Sequence, residues 1–180
     1  MAEIKSTLEL ALERTKKITI SEEEREEIKR KEILQKATGL FHRYKEGHTP
    51  LNEILKEIER MEEKSGNIVK ESLLAQWMDA LSLNDENERL LKGIESLKDR
   101  GINEVTHKLR DLLSQYQRKK EKVKQEVKVQ SIEALRREGI YGTAVEPNIE
   151  GDPLWEKENE KLNHSYKMQL EEIKKELRSL

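Results

Sequence analysis

An all-α fold, a small N-terminal helical bundle followed by a long antiparallel coiled-coil helical hairpin, is what the sequence predicts, and three observations predict it. Apolar residues recur at spacings of three and four along most of the 180 positions, as they do on helices with one buried face. Charged residues make up 40% of the chain and the hydrophobic class only 34%, with aromatics at 4%. That is too little apolar material for a wide layered core and enough for narrow seams between helices. Only one long run, Gly139 to Pro153, breaks the series of charged helix-forming segments, and it contains no Lys or Arg. So high a charge also fits a disordered chain, but disordered tracts do not sustain helical periodicity.

Residues 1–83 read as the N-terminal helical region. Ile4, Leu8, Ala11 and Leu12 form the stripe of a short helix near 2–17, marginal alone and in need of a partner. Ser21 with Glu24 three residues later is a capping box, its hydroxyl and carboxylate satisfying orphan amides reciprocally. The helix that starts there, near 22–46, carries Glu26 with Arg30 and Glu27 with Lys31 in the favourable order. Its apolar face arrives late, as Leu34, Ala37, Phe41 and Tyr44, and it ends near Gly47. Thr49-Pro50 caps a helix near 50–65, with proline at a position where its missing N–H costs nothing. Leu51, Ile54, Leu55, Ile58 and Met61 mark that helix, and Ser65-Gly66-Asn67 stops it. The most apolar helix, near 68–82, places Val69, Leu73, Trp77, Ala80 and Leu81 on one side. Connections of two to six residues suit antiparallel neighbours.

Residues 84–180 read as the hairpin. Leu90, Ile94 and Leu97 open a helix near 85–138 in which Gly101 leaves the possibility of a break. Beyond it, Ile102, Val105, Leu109, Leu112 and Tyr116 alternate in the three-four rhythm of a coiled-coil seam. Past Tyr116 the seam thins, because Lys119, Lys120 and Gln130 fall where apolar residues are expected. Gly139 in a left-handed cap, with Ile140 packing back toward Leu135, predicts a Schellman ending. After the loop 139–152, Asp152-Pro153 caps a last helix near 153–178, with Leu162, Tyr166, Leu170, Ile173, Leu177 and Leu180 on one face. At about 1.5 Å per residue this helix reaches some 40 Å back along its predecessor, which puts the loop at the hairpin tip.

Several classes of function lose ground here. The 35 basic and 37 acidic residues nearly cancel, for a net charge of -2, which argues against a protein built chiefly to grip nucleic acid. The absence of cysteine removes disulfides, thiol catalysis and thiolate metal sites. No segment approaches the roughly 20 apolar residues of a membrane span, and the N-terminus does not resemble a secretory signal. Cytoplasmic residence without membrane insertion is the expectation.

Candidate chemistry is thin. Glu104-Val-Thr-His107 matches half of a di-iron motif, but at 100° per residue it lies opposite the apolar seam, whereas bundle metal sites point inward. His42, His48 and His164 stand apart from plausible nucleophiles, and no phosphate-binding glycine loop occurs. The expectation is therefore no enzyme, with no catalytic, cofactor-binding or metal residue and no cofactor. Segment 117–137 carries eight basic residues against three glutamates. Its cations spread around the helix instead of forming one stripe, so it is only the third reading, after protein binding and a structural stalk.

Loop 139–152 is the candidate partner contact, since loops carry function more often than scaffolds and two to five residues would join such helices. Ile140, Tyr141, Val145, Pro147 and Ile149, with Trp155 just beyond, form an apolar strip edged by Glu146, Glu150 and Asp152. Tyr141 to Val145 alternate as a strand added to a partner's sheet edge would. The competing reading folds the same residues back onto the hairpin. The expected function is a non-enzymatic helical adaptor or assembly factor acting through protein–protein interaction, as a homodimer. The alternative is a stalk or stator-like subunit of a larger complex.

Overall fold

A computed structural model describes residues 21–180 other than 66, 85, 86, 99, 100, 141, 143 and 144. Six α-helices and no strand lie among the described residues: α1 (Glu22–Lys45), α2 (Leu51–Ser65), α3 (Ile68–Asp79), α4 (Glu88–Leu97), α5 (Ile102–Arg137) and α6 (Pro153–Ser179), with a short 3₁₀ turn at Ile149–Gly151. The fold is all-α, as expected. The expected helix near 2–17 lies outside the described residues.

Backbone contacts divide the chain into two compact units, Met1–Ser72 and Leu73–Leu180. The division falls inside α3, where the sequence suggests 83 and 84. Its physical reason is visible in Trp77, which is fully buried and lies against Gly93 of α4.

In the first unit, α1 starts with the capping box: the Glu24 amide donates to Ser21 Oγ at 3.1 Å and the Ser21 amide to Glu24 Oε2 at 2.9 Å. Glu27 pairs with Lys31 at 2.7 Å. The helix ends in a Schellman motif at Gly47 (φ +82°), whose amide donates to Tyr44 O while that of His48 reaches Arg43 O. Its buried face, Ala37, Leu40, Phe41 and Tyr44, is confined to its second half. Leu34, expected on that face, is 37% exposed. Pro50 stands one residue before α2, its carbonyl accepting from Glu53 and Ile54. The Arg43 guanidinium forks onto both carboxylate oxygens of Glu57, the shorter contact being 2.7 Å.

In the second unit, the expected single helix over 85–138 is two helices. Gly101, at φ +79°, immediately precedes α5, and a left-handed residue cannot continue an α-helix. Asn87, buried, fixes the turn that leads into α4, accepting from the Ser82 amide at 3.0 Å and donating to the Ser82 carbonyl at 2.7 Å. Arg110 of α5 holds α4 through Glu88 at 2.9 Å and Glu95 at 3.1 Å.

Helices α5 and α6 pack along their length. Their pairs run in opposite senses, Lys108 with Glu176, Tyr116 with Tyr166 and Ser131 with Asp152. The seam is Val105, Leu109, Leu112, Tyr116 and Val127 against Trp155, Leu162, Tyr166, Leu170 and Leu177, all buried. Two lysines cap helix ends across this unit. Buried Lys174 donates to Asp79 O at 3.2 Å, closing α3, and Lys98 donates to Leu177 O at 2.6 Å, closing α6. Cations at C-terminal carbonyls are favoured by the helix dipole. Among the described residues no helix is long and apolar enough to cross a membrane.

Candidate partner-binding site

The hairpin tip is built from local rules. At the end of α5, the Gly139 amide donates to Arg136 O at 3.1 Å and the Ile140 amide to Leu135 O at 3.0 Å, with Gly139 at φ +84°. These two bonds are the Schellman ending expected from Gly139. On the far side Asp152 caps α6, accepting from the Leu154 amide at 2.8 Å, with Pro153 at the first helical position. Ser131 of α5 donates its hydroxyl to the other Asp152 oxygen. That hydroxyl, then the Leu154 amide, holds the Asp152 carboxyl below its ordinary pKa.

Between these stops the second half of the loop, residues 145–151, lies back on α5. Ile149, Trp155 and Val127 form one buried cluster with Val123 packed against it. Outside it, Lys124 meets Glu150 at 3.7 Å and Lys128 meets Glu146 at 3.8 Å. Of the expected strip, Ile149 and Trp155 are thus brought together and turned inward. Val145 and Pro147 are half-buried, and Ile140 is 47% exposed. Tyr141 and the centre of the proposed strand, Tyr141 to Val145, lie outside the described residues.

Two turns down α5 from Val123, Tyr116 is fully buried. Its hydroxyl stands 2.6 Å from Asn163 Oδ1 and 3.0 Å from Asn84 Oδ1. One phenolic proton serves only one of them, so the other amide pairs by presenting its NH₂. Lys120 lies over the Tyr116 ring, its Nζ 5.6 Å from the centroid and 3.3 Å from Asn84 Oδ1. The lysine that interrupts the seam in sequence thus sets its ammonium over the Tyr116 ring, a cation–π arrangement.

A cavity of about 600 Å³ opens beside the tip, lined by Gln117, Lys120, Glu121, Lys124, Glu150, Trp155 and Asn159. Asn159 Oδ1 is shielded from solvent and has no hydrogen-bond partner. The sequence reading missed Ser131, Asn159 and the lysine stripe Lys120, Lys124, Lys128. The stripe's spacing of four, matched by Glu146 and Glu150 in the loop, was the available signal. Lys122 pairs within α5 with Glu126 at 3.7 Å. Glu104, His107 and Asp111 are exposed, and no group of three metal-ligating side chains occurs among the described residues.

Fold and site together define a helical hairpin protein whose tip is closed by its own acidic loop. The chain belongs to a family described as a family of unknown function (DUF6657), whose pattern matches residues 55–179. No curated protein and no solved structure matches it.

Proposed function

We propose that the protein is a non-enzymatic helical adaptor or assembly factor that acts through protein–protein interaction at the tip of the α5–α6 hairpin. The observation that carries this reading is the placement of Ile140. A large apolar side chain, 47% exposed, follows directly on a hydrogen-bonded helix stop, while Ile149 and Trp155 brace the loop from beneath. An apolar residue held on a rigid backbone meets a partner at low entropic cost. Affinity capture from the native source, comparing the intact chain with Ile140→Asp, tests it. The expected result is loss of one specific partner with helicity retained, and identical capture by both proteins overturns it.

Self-association belongs to the same proposal, since Ile28 and Leu34 expose apolar surface on α1 at 46% and 37%. Sedimentation equilibrium at micromolar concentration is expected to give a dimer, and a monomer removes that part. A stalk subunit is the second reading, favoured by the reach of α5, whose 36 residues span about 54 Å. Co-purification with one large complex, insensitive to Ile140→Asp, supports it over the adaptor.

A further inference from the structure

We infer that the cavity beside the hairpin tip is a docking site for an acidic peptide segment, and that Glu150 of the loop occupies the place of the ligand's carboxylate until the segment arrives. The inference rests on the partner-binding reading and deepens it by naming the partner's chemistry.

Four observations carry it. The wall contributed by α5 includes Lys120, Glu121 and Lys124, within a segment of eight basic and three acidic residues. Gln125 donates to the Glu121 carboxylate at 2.8 Å, Lys120 holds Asn84 at 3.3 Å, and Lys124 is the cation turned toward the loop. The carboxylate now facing Lys124 is loosely held: Glu150 is 83% exposed and 3.7 Å away, longer than a good charge-assisted hydrogen bond. Trp155, whose ring is buried on its other side against Val127 and Ile149, gives the cavity a flat wall for an aliphatic stem. Asn159, at the same wall, has an unpartnered oxygen. The terminal torsion of an amide is broad, so a small rotation turns this oxygen toward an incoming peptide N–H. A peptide glutamate satisfies all of these together: carboxylate to Lys124, methylenes on Trp155, backbone amide to Asn159. The loop already demonstrates the pairing in cis, with Glu146 and Glu150 spaced four apart against Lys128 and Lys124.

An intramolecular competitor makes a prediction of sign. Neutralising Glu150 strengthens binding, whereas neutralising Lys124 weakens it. The probe is an N-acetylated, C-amidated tri-glutamate peptide titrated into the ¹⁵N-labelled full chain, with the tri-glutamine peptide and sodium sulfate at equal ionic strength as controls. The expected result is saturable movement of the Trp155 indole and Asn159 side-chain signals with tri-glutamate alone. Lys124→Ala should lower affinity about fivefold and Glu150→Gln raise it about two- to fivefold, the range for a partly exposed charge pair. Both side chains are on the surface, and unchanged spectra of the free variants confirm that folding is intact. No movement up to about 10 mM peptide, equal movement with sulfate or tri-glutamine, or weaker binding in Glu150→Gln overturns the inference. The underlying reading fails separately. A partner captured independently of Ile140 defeats the reading while tri-glutamate binding stands, and an Ile140-dependent partner indifferent to Lys124→Ala and Glu150→Gln defeats only the docking site.

Discussion

At the scale of single residues, small and polar positions decide how the second unit packs. A Cβ built on Gly93 would lie 2.8 Å from Trp77 Cζ3, and Trp77, fully buried, has no room to retreat. Two effects oppose each other in Gly93→Ala. Helix propensity favours alanine by up to about 1 kcal/mol, while overpacking costs about 1–3 kcal/mol. Net destabilisation is expected in urea unfolding. Gly39, on the exposed face of α1 with nothing within 4 Å of its Cβ position, lacks the opposing term, so Gly39→Ala should stabilise by about 0.5–1 kcal/mol. Trp77 was legible as a core residue because its helix is apolar on that side. Gly93 was not, since glycine inside a helix leaves no trace in periodicity.

Asp152 adds a pH dependence. Its carboxyl is held below its ordinary value of 3.8 by Ser131 and the Leu154 amide. A depressed folded-state pKa contributes stability that is complete above the unfolded pKa and lost as pH falls through the folded one. The destabilisation caused by Asp152→Asn should therefore be constant above about pH 5 and shrink as pH falls below about 4. Thermal melts of both proteins from pH 6 to 2.5 check this, and a difference that does not vary with pH would dismiss it.

At the scale of elements, stops and starts were the most legible features. The capping box at Ser21, the Schellman ending at Gly139 and the cap at Asp152 are each encoded within a few neighbouring residues, so the sequence specifies them without tertiary help. Gly139→Ala puts a Cβ on a residue at φ +84° with nothing within 4 Å to clash. Only the left-handed backbone is penalised, at about 1–2 kcal/mol, and a lower urea midpoint with unchanged slope is the expected signature.

What stayed hidden needed the third dimension. Lys120 looked like a fault in the seam because periodicity sorts residues by type, whereas the structure sets its ammonium over the Tyr116 ring and beside Asn84. Likewise the cations of 117–137 looked evenly spread, although one row of them faces the acidic loop. Tyr116→Phe tests how much the polar centre of the hairpin contributes. Removing the hydroxyl deprives the half-buried Asn163 of this partner, while the exposed Asn84 keeps Lys120. A loss of about 0.5–1.5 kcal/mol, the net worth of an intramolecular hydrogen bond, is therefore expected. A loss well under 0.5 kcal/mol would mean that water replaces the hydroxyl and the network adds little.

At the scale of the whole molecule, the contact boundary at Ser72 and Leu73 makes a claim about autonomy. Leu73–Leu180 includes a series of buried residues, from Trp77 through Leu91, Ile94 and Leu109 to Leu177. It also closes helix ends within itself, Lys174 on the Asp79 carbonyl and Lys98 on the Leu177 carbonyl, while Arg178 pairs with the Asp79 carboxylate. A compact unit that closes its own terminal carbonyls is expected to fold as a domain does. Sequence placed the change of character later, at 83 and 84, because composition shifts there while burial by Trp77 does not register in composition. A fragment starting at Asn67, whose carbonyl accepts from the Glu71 amide in the first turn of α3, keeps that helix whole. It is expected to unfold in urea as one cooperative transition, coincident by circular dichroism and tryptophan fluorescence. Fragments starting after Asp79 lose Trp77 and the carbonyl that Lys174 caps, and should lose that cooperativity. If the longer fragment also melts without a transition, the second unit depends on residues before Asn67, and the boundary drawn from contacts is not a boundary of folding.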